Sequence, residues 1–322
     1  MTASYIEMIK YRRPEGSRYQ KKFCRRFLEP VFGKPDAHGN YTLIVGDNPN
    51  IAFMAHHDTV HHSDSLQTVV IDGDFVVTTG KDCLGADCTT GVYIILKMIE
   101  AQVPGVYVVH AAEEIGCKGS AALVAQHPAW IDTVKAAISF DRKGYDSIIT
   151  HQLGGRCCSE AFSDSFAAIL GGEFKSDPTG SYTDSNEYVG AIGECTNLSV
   201  GYFNQHTPNE AQDMAFMEEL IEHLISADWS KLVFERKPGE EEQEPFYNGK
   251  NYCRQFSTVD CYDDLDYSFK TELSSNEKLD MMSVIKRYPE QVAEILNSFG
   301  YNAGGLIDDC VDLKDRSKYR GA

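Results

Sequence analysis

Three things are scarce in this 322-residue chain, and each scarcity excludes a class of protein. No apolar stretch approaches the roughly 18 residues that a membrane-crossing helix needs, and the N-terminus lacks the apolar core of a secretory signal, so the expected compartment is the cytoplasm. Positive charge is short. The 30 Lys and Arg against 48 Asp and Glu leave a formal net charge of -18, which excludes nucleic acid and anionic membrane as partners and favours solubility. The ten cysteines include no CxxC pair. Cys157 and Cys158 are adjacent and the others scattered, a pattern expected of a reduced protein without disulfides. No internal repeat stands out. The length suits one core of about 230 to 240 residues plus a small appendage.

Against these absences, metal-binding side chains recur in a fixed order. His56 and Asp58 fall in AHHDTV, Asp87 in LGADCTTG, Glu113 and Glu114 in HAAEEIGCKGS, Asp141 in ISFDRKG, and His206 in GYFNQHTPNE. Two imidazoles and three carboxylates hold a pair of divalent ions if one carboxylate bridges them, and a carboxylate left over beside a ligand can act as a base. Apolar runs precede these residues: IAFMA (51 to 55), VYVVHAA (106 to 112), AAISF (136 to 140) and TNLSVGYF (196 to 203). Such runs read as buried strands of a sheet covered on both faces. Between them lie helix-like segments: TTGVYIILKMIEAQ, GSAALVAQ, SEAFSDSFAAIL and AQDMAFMEELIEHLISADW. The alternation predicts an α/β fold, a three-layer α-β-α arrangement on a mostly parallel sheet, with ligands gathered at the carboxyl ends of the strands.

The five motifs resemble those of the co-catalytic dizinc exopeptidase clan over roughly residues 40 to 230, and most closely its compact aminopeptidase branch. The resemblance implies the following roles. His56 is a ligand of the first metal, with Asp58 orienting its ring; Asp87 bridges the metals; Glu113 is the general base; Glu114 is a ligand of the second metal; Asp141 completes the first shell and His206 the second. The implied cofactor is two Zn2+, with Co2+ or Mn2+ as other divalent choices. His57, His61 and His62 crowd the first ligand and read as a solvated loop. Cys88 and Thr89 depart from the basic or acidic residue that many relatives place after the bridging aspartate, and Cys88 reads as a small side chain filling space at a helix start. YTDSNEYV occupies the region where compact aminopeptidases carry a Ser-Asp-His element, without the His; its local reading is a helix start with Asp184 as N-cap and Glu187 three residues on. Asn209 and Glu210 are similar to an element of the carboxypeptidase-like branch, and Glu210 also reads as an acid in a helix's first turn.

Spacing separates the branches. Asp141 and His206 are 65 positions apart, too few for an inserted lid domain, which needs on the order of 100 residues by itself. The lid's arginine for a substrate carboxylate is therefore absent, with Arg142 and Arg156 as the remaining substitutes. The favoured activity is an aminopeptidase acting on a peptide or small amide substrate, with Glu210, Glu187 and Asp184 as candidates to receive the substrate ammonium. A deacylase or amidase, or a carboxypeptidase, is the alternative on the same metals; a non-catalytic binding protein is the competitor from another class. SRYQKKFCRRFLEPVFG (17 to 33) reads as a basic amphipathic helix used for packing. The catalytic domain is placed at 1–240. Around 237 to 250 the chain becomes a charged linker, and 241–322 is expected to hold that linker and a small mostly helical module, with Pro289 and Gly300 bounding its second helix. The oligomeric state is not legible.

Overall fold

In the computed structural model the residues described are 4–240. The expected C-terminal module, 241–322, lies outside the described residues.

The fold follows from four uninterrupted apolar runs. Seven strands form the main sheet, numbered here in chain order: β1 (Tyr41–Val45), β2 (Ile51–His56), β3 (Gly105–His110), β4 (Ala136–Arg142), β5 (Ser147–Ile149), β6 (Lys175–Asp177) and β7 (Glu194–Ser199). Their spatial order is β6-β5-β7-β4-β2-β3-β1. The four central strands β7, β4, β2 and β3 run parallel to one another. Edge strand β1 runs antiparallel to β3, and β5 antiparallel to β7. Every residue of β2, β3 and β7 is buried. Burial of consecutive residues, whose side chains alternate between faces, requires cover on both sides.

Helices supply that cover: α1 (Ala86–Glu100), α2 (Lys118–Gln126), α3 (Glu160–Leu170), α4 (Asp184–Glu187) and α5 (Met214–Ser226). Twelve of the fifteen residues of α1 are buried, because it packs on β2 and β4 and is itself overlaid by α5. Gly91 makes the approach possible, since a Cβ there would collide with the Phe140 carbonyl oxygen. Ser159 caps α3 by accepting from Phe162 N at 3.1 Å, and Asp213 caps α5 by accepting from Phe216 N at 3.0 Å.

Two readings need correction. The helix expected from Ala211 begins at Met214, because Ala211–Asp213 is a strand. It belongs to a four-stranded antiparallel sheet, with Tyr202–Phe203, Phe75–Thr78 and Val69–Asp72, that sequence reading missed. Thr183, not Asp184, stands at the N-cap position of α4. The basic segment is helical across Arg18–Phe23, Cys24–Leu28 and Glu29–Phe32, its middle part wound as a π-helix. The 65 positions from Asp141 to His206 are spent on β5, β6, β7, α3 and α4, which build the sheet and its cover. Among the described residues no helix is long and apolar enough to cross a membrane.

Candidate metal centre

His56 is the last residue of β2, and Asp141 is the sixth of the seven residues of β4 beside it, the strand at the middle of the sheet. Both therefore stand at the carboxyl edge. His56 Nδ1 lies 3.4 Å from Asp58 Oδ1. The same fully buried Asp58 carboxylate accepts from Glu113 N at 3.2 Å and Glu114 N at 3.1 Å. One carboxylate thus faces the imidazole and fixes the backbone of the Glu pair. Asn197 of β7 clamps the backbone of Asp141 in both directions: Asp141 N donates to Asn197 Oδ1 and Asn197 Nδ2 donates to Asp141 O, each at 2.9 Å. The Asp141 carboxylate accepts from Thr183 Oγ1 at 2.7 Å and from the Tyr202 hydroxyl at 3.3 Å. Its Oδ1 is 3.5 Å from His56 Nε2.

Asp87 sits in the first turn of α1, where it and Cys88 have non-helical dihedrals. Its Oδ1 is 3.1 Å from His56 Nε2 and its Oδ2 is 3.1 Å from His206 Nε2. One carboxylate thus offers a separate oxygen to each of two imidazoles. Glu114 Oε1 is 3.3 Å from His206 Nε2, and Glu113 Oε2 is 3.8 Å from His56 Nε2. His206 reaches the cluster from an exposed turn in the left-handed region, at φ 64°. The cleft above these groups is lined also by Lys143, Ser181, Tyr182 and Gln205.

Three sets of donor atoms lie within 4.8 Å of one another: His56, Glu113 and Glu114; Asp87, Glu114 and His206; and His56, Cys88 and Asp141. Glu114 Oε1 is buried and makes no hydrogen bond. Burial, with Asp87 alongside, pushes the Asp141 carboxyl up to about 7, and burial lifts Glu113 well above the carboxylate range. Although burial opposes it, Asp87 and Glu114 draw His206 up to about 11. Crowded carboxylates of this kind repel one another out of water, and a divalent cation relieves that repulsion. Nitrogen and carboxylate oxygen donors suit zinc and its neighbours. The residues fit a metal centre.

The remaining candidates lie elsewhere or do other work. His57 is buried against Gln20 and the Gly39 carbonyl, and His61 against Thr59 and the Cys83 carbonyl; of the three loop histidines only His62 is solvated, beside Asp82. Cys88 is fully buried and donates to the Phe140 carbonyl at 3.2 Å. Asp184 is buried, accepting from Ser120 Oγ at 2.6 Å with His110 Nδ1 3.2 Å away. Glu210, 1 % exposed, accepts from Gly85 N at 2.8 Å and Asp87 N at 3.0 Å. Neither of these two carboxylates is open to a substrate amine, which corrects their nomination. Glu187 is half-buried and accepts from the hydroxyl of Tyr182, which lines the cleft. Arg142 also lines the cleft but is held by Asp177 at 3.2 Å, and Arg156 lies 3.3 Å from Glu160. Sequence reading missed Thr183, Asn197 and Tyr202, which no local motif marks.

Residues 41–187 match the model of peptidase family M28. The match is consistent with the resemblance to the co-catalytic zinc exopeptidase clan. Among solved structures, the fold is similar to that of aminopeptidase PepT from Bacillus cereus ATCC 10987, at 15 % identity and a TM-score of 0.55, over 69 % of this chain and 95 % of that one. A tripeptidase from Staphylococcus aureus subsp. aureus Mu50 aligns over the same shares at 13 % identity and a TM-score of 0.55. The TET1 peptidase of Pyrococcus horikoshii aligns at 15 % identity and a TM-score of 0.54, over 69 % of this chain and 98 % of that one. No curated protein matches the sequence. At these identities the structures speak for the fold, and the chemistry has to be argued from this chain's own side chains.

Proposed function

We propose that the chain is a metal-dependent aminopeptidase working with two zinc ions. The observation that carries the reading is Asp87, whose two carboxylate oxygens each stand 3.1 Å from a different imidazole. His56 and Asp141 with Asp87 Oδ1 would hold one ion, and His206 and Glu114 with Asp87 Oδ2 the other. Ions held there would supply Lewis acidity, acidifying a water and polarising the scissile carbonyl. Glu113 supplies the proton transfer. Its Oε1 faces the Cys117 thiol at 3.6 Å, which leaves Oε2, on the His56 side, to take a proton from the attacking water and return it to the leaving amine. Asp58 keeps Glu113 at that station by holding its backbone N–H.

The amino end is favoured because, among the described residues, the one arginine lining the cleft, Arg142, is held by Asp177, while Glu187 remains half-exposed behind Tyr182 and can receive an ammonium group. Cytoplasmic residence belongs to the same reading, since the seven cysteines among the described residues are all free and buried. Metal analysis of zinc-reconstituted protein tests the centre: two ions per chain are expected, and a single ion indifferent to Glu114→Ala or His206→Ala would sink it. Comparing kcat/KM for Leu-Gly-Gly and its N-acetyl form tests the amino-end choice. Blocking the amine removes a charge-assisted hydrogen bond to Glu187, worth roughly 1.5 to 3 kcal/mol, so the free peptide should be favoured tenfold or more. Equal cleavage of the blocked form would move the reading to a deacylase.

A further inference from the structure

Among the polar groups that the proposed mechanism leaves unused, Glu210 is the most firmly built. It is 1 % exposed, yet its charge meets no Lys, Arg or His within salt-bridge distance among the described residues. Both of its oxygens go to backbone amides of one turn, Gly85 N to Oε2 at 2.8 Å and Asp87 N to Oε1 at 3.0 Å. Gly85 adopts φ +76°, a left-handed conformation, and a Cβ there would lie 2.6 Å from His61 Cε1. Amides turned together by a left-handed residue make a concave anion site, a backbone nest. Here the anion comes from the chain itself, 123 residues beyond Asp87.

The other end of the clamp is the His206 turn. Thr207 Oγ1 donates to the Asn204 carbonyl at 2.7 Å, and Glu210 N donates to the Thr207 carbonyl at 3.1 Å. These bonds tie His206 into a short rigid segment whose anchor is Glu210. His206 itself is half exposed and holds a left-handed φ of 64°; the pairing of Tyr202–Phe203 with Ala211–Asp213 closes the loop that carries it, and Glu210, at the end of that loop, ties the loop to the Asp87 turn.

We propose that Glu210 is a positioning residue that locks the turn carrying Asp87 to the turn carrying His206 and so sets the geometry of the second ion's site, the one shared by Asp87 Oδ2, Glu114 and His206. The inference rests on the two-ion reading above. A group that aligns a ligand without touching the metal typically changes metal affinity about 10- to 100-fold when altered. Glu210→Gln replaces one acceptor by an NH2 group facing a backbone N–H, and so breaks half the clamp at constant volume.

The experiment is a competitive zinc titration of wild type, Glu210→Gln, Glu210→Asp and the double variant Glu210→Gln with His206→Ala, read as two separate dissociation constants. Glu210→Gln should weaken one ion about 10- to 100-fold and leave the other close to wild type, and the double variant should lose no more than His206→Ala alone. Glu210→Asp, one methylene short of the nest, should show the same selective loss and stands in if the Gln variant does not fold. Two ions held as tightly as in wild type, or both weakened alike, would overturn the assignment and leave Glu210 a general support of the fold. A wild-type protein with a single site would instead bring down the two-ion reading, a result recognisable before any variant is compared.

Discussion

The two halves of the proposed metal centre are built from different materials. His56 and Asp141 stand on adjacent parallel strands at the middle of the sheet, His56 1 % exposed, with Asp58, Asn197 and Thr183 gripping them. His206 and Glu114 stand on loops, the His206 side chain is 47 % exposed and its backbone is left-handed. The first half inherits its geometry from the sheet, whose register is set by hydrophobic burial. The second acquires its geometry from a few polar bonds between turns. Loops open at lower free energy than core strands, so the halves should differ in how readily they let go of a ligand.

The Glu pair, where the halves meet, should show the largest effect. Glu113 reaches toward His56 and Glu114 toward His206. Glu113→Gln should lower kcat by at least about a hundredfold with metal content nearly intact, because a general base contributes about 10²- to 10⁴-fold. Glu114→Gln should disturb the metal instead. Reversed phenotypes, read by kinetics and metal analysis, would mean that the two neighbours have exchanged roles.

Asp58 comes next. It faces three groups with two oxygens: His56 Nδ1, Glu113 N and Glu114 N. Asp58→Asn keeps the shape but removes the charge and one acceptor. The ion on the His56 side should bind about 10- to 100-fold more weakly. Unchanged affinity in an isothermal titration would show that the Asp58 backbone carbonyl, 3.1 Å from His56 Nδ1, is enough to orient the imidazole.

Graded chelation compares the halves directly. Removing zinc with increasing chelator should empty the His206 side first, at chelator strengths about tenfold below those needed for the His56 side, if local opening of the loop is cheaper by about 1.4 kcal/mol. Simultaneous release would mean that the bridge through Asp87 couples the sites into one unit.

The same contrast explains what was legible in the amino-acid sequence. The strands of the first half announce themselves, because IAFMAH and AAISF are continuous apolar runs of the kind only a doubly covered sheet can bury. The candidate ligands were legible as residue types in order. Their supports were not: Asn197 meets Asp141 across 56 positions and Glu210 meets Asp87 across 123, and neither contact leaves a local pattern. The small antiparallel sheet escaped for a related reason. Its strands are only two to four residues long, and Ala211–Asp213 runs into α5 without a break in composition. Thr183 took the N-cap position of α4 although Asp184 looks the better cap, because Asp184 is drawn inward by Ser120 and His110.

Tyr202 joins the two halves and should show the smallest effect. It lies on the strand Tyr202–Phe203 of the small sheet, four residues before the His206 turn, yet its hydroxyl donates to Asp141 Oδ1 at 3.3 Å, on the opposite side of the centre. The ring is 1 % exposed, and burial raises the hydroxyl's pKa well above its ordinary value, so it stays a donor throughout the working range of pH. Tyr202→Phe deletes that donor without opening a cavity in the ring's packing. Asp141 keeps its shorter bond from Thr183 Oγ1 at 2.7 Å, so the loss should be near the ordinary value of one hydrogen bond, about 1 kcal/mol, or roughly fivefold in the affinity of the His56-side ion. The His206-side ion should be unaffected, since the loop's own anchors are untouched. A fivefold or larger loss at both ions would show that the loop-built half takes its position from the strand-built half through this one hydroxyl, and that the centre is a single structure and not two.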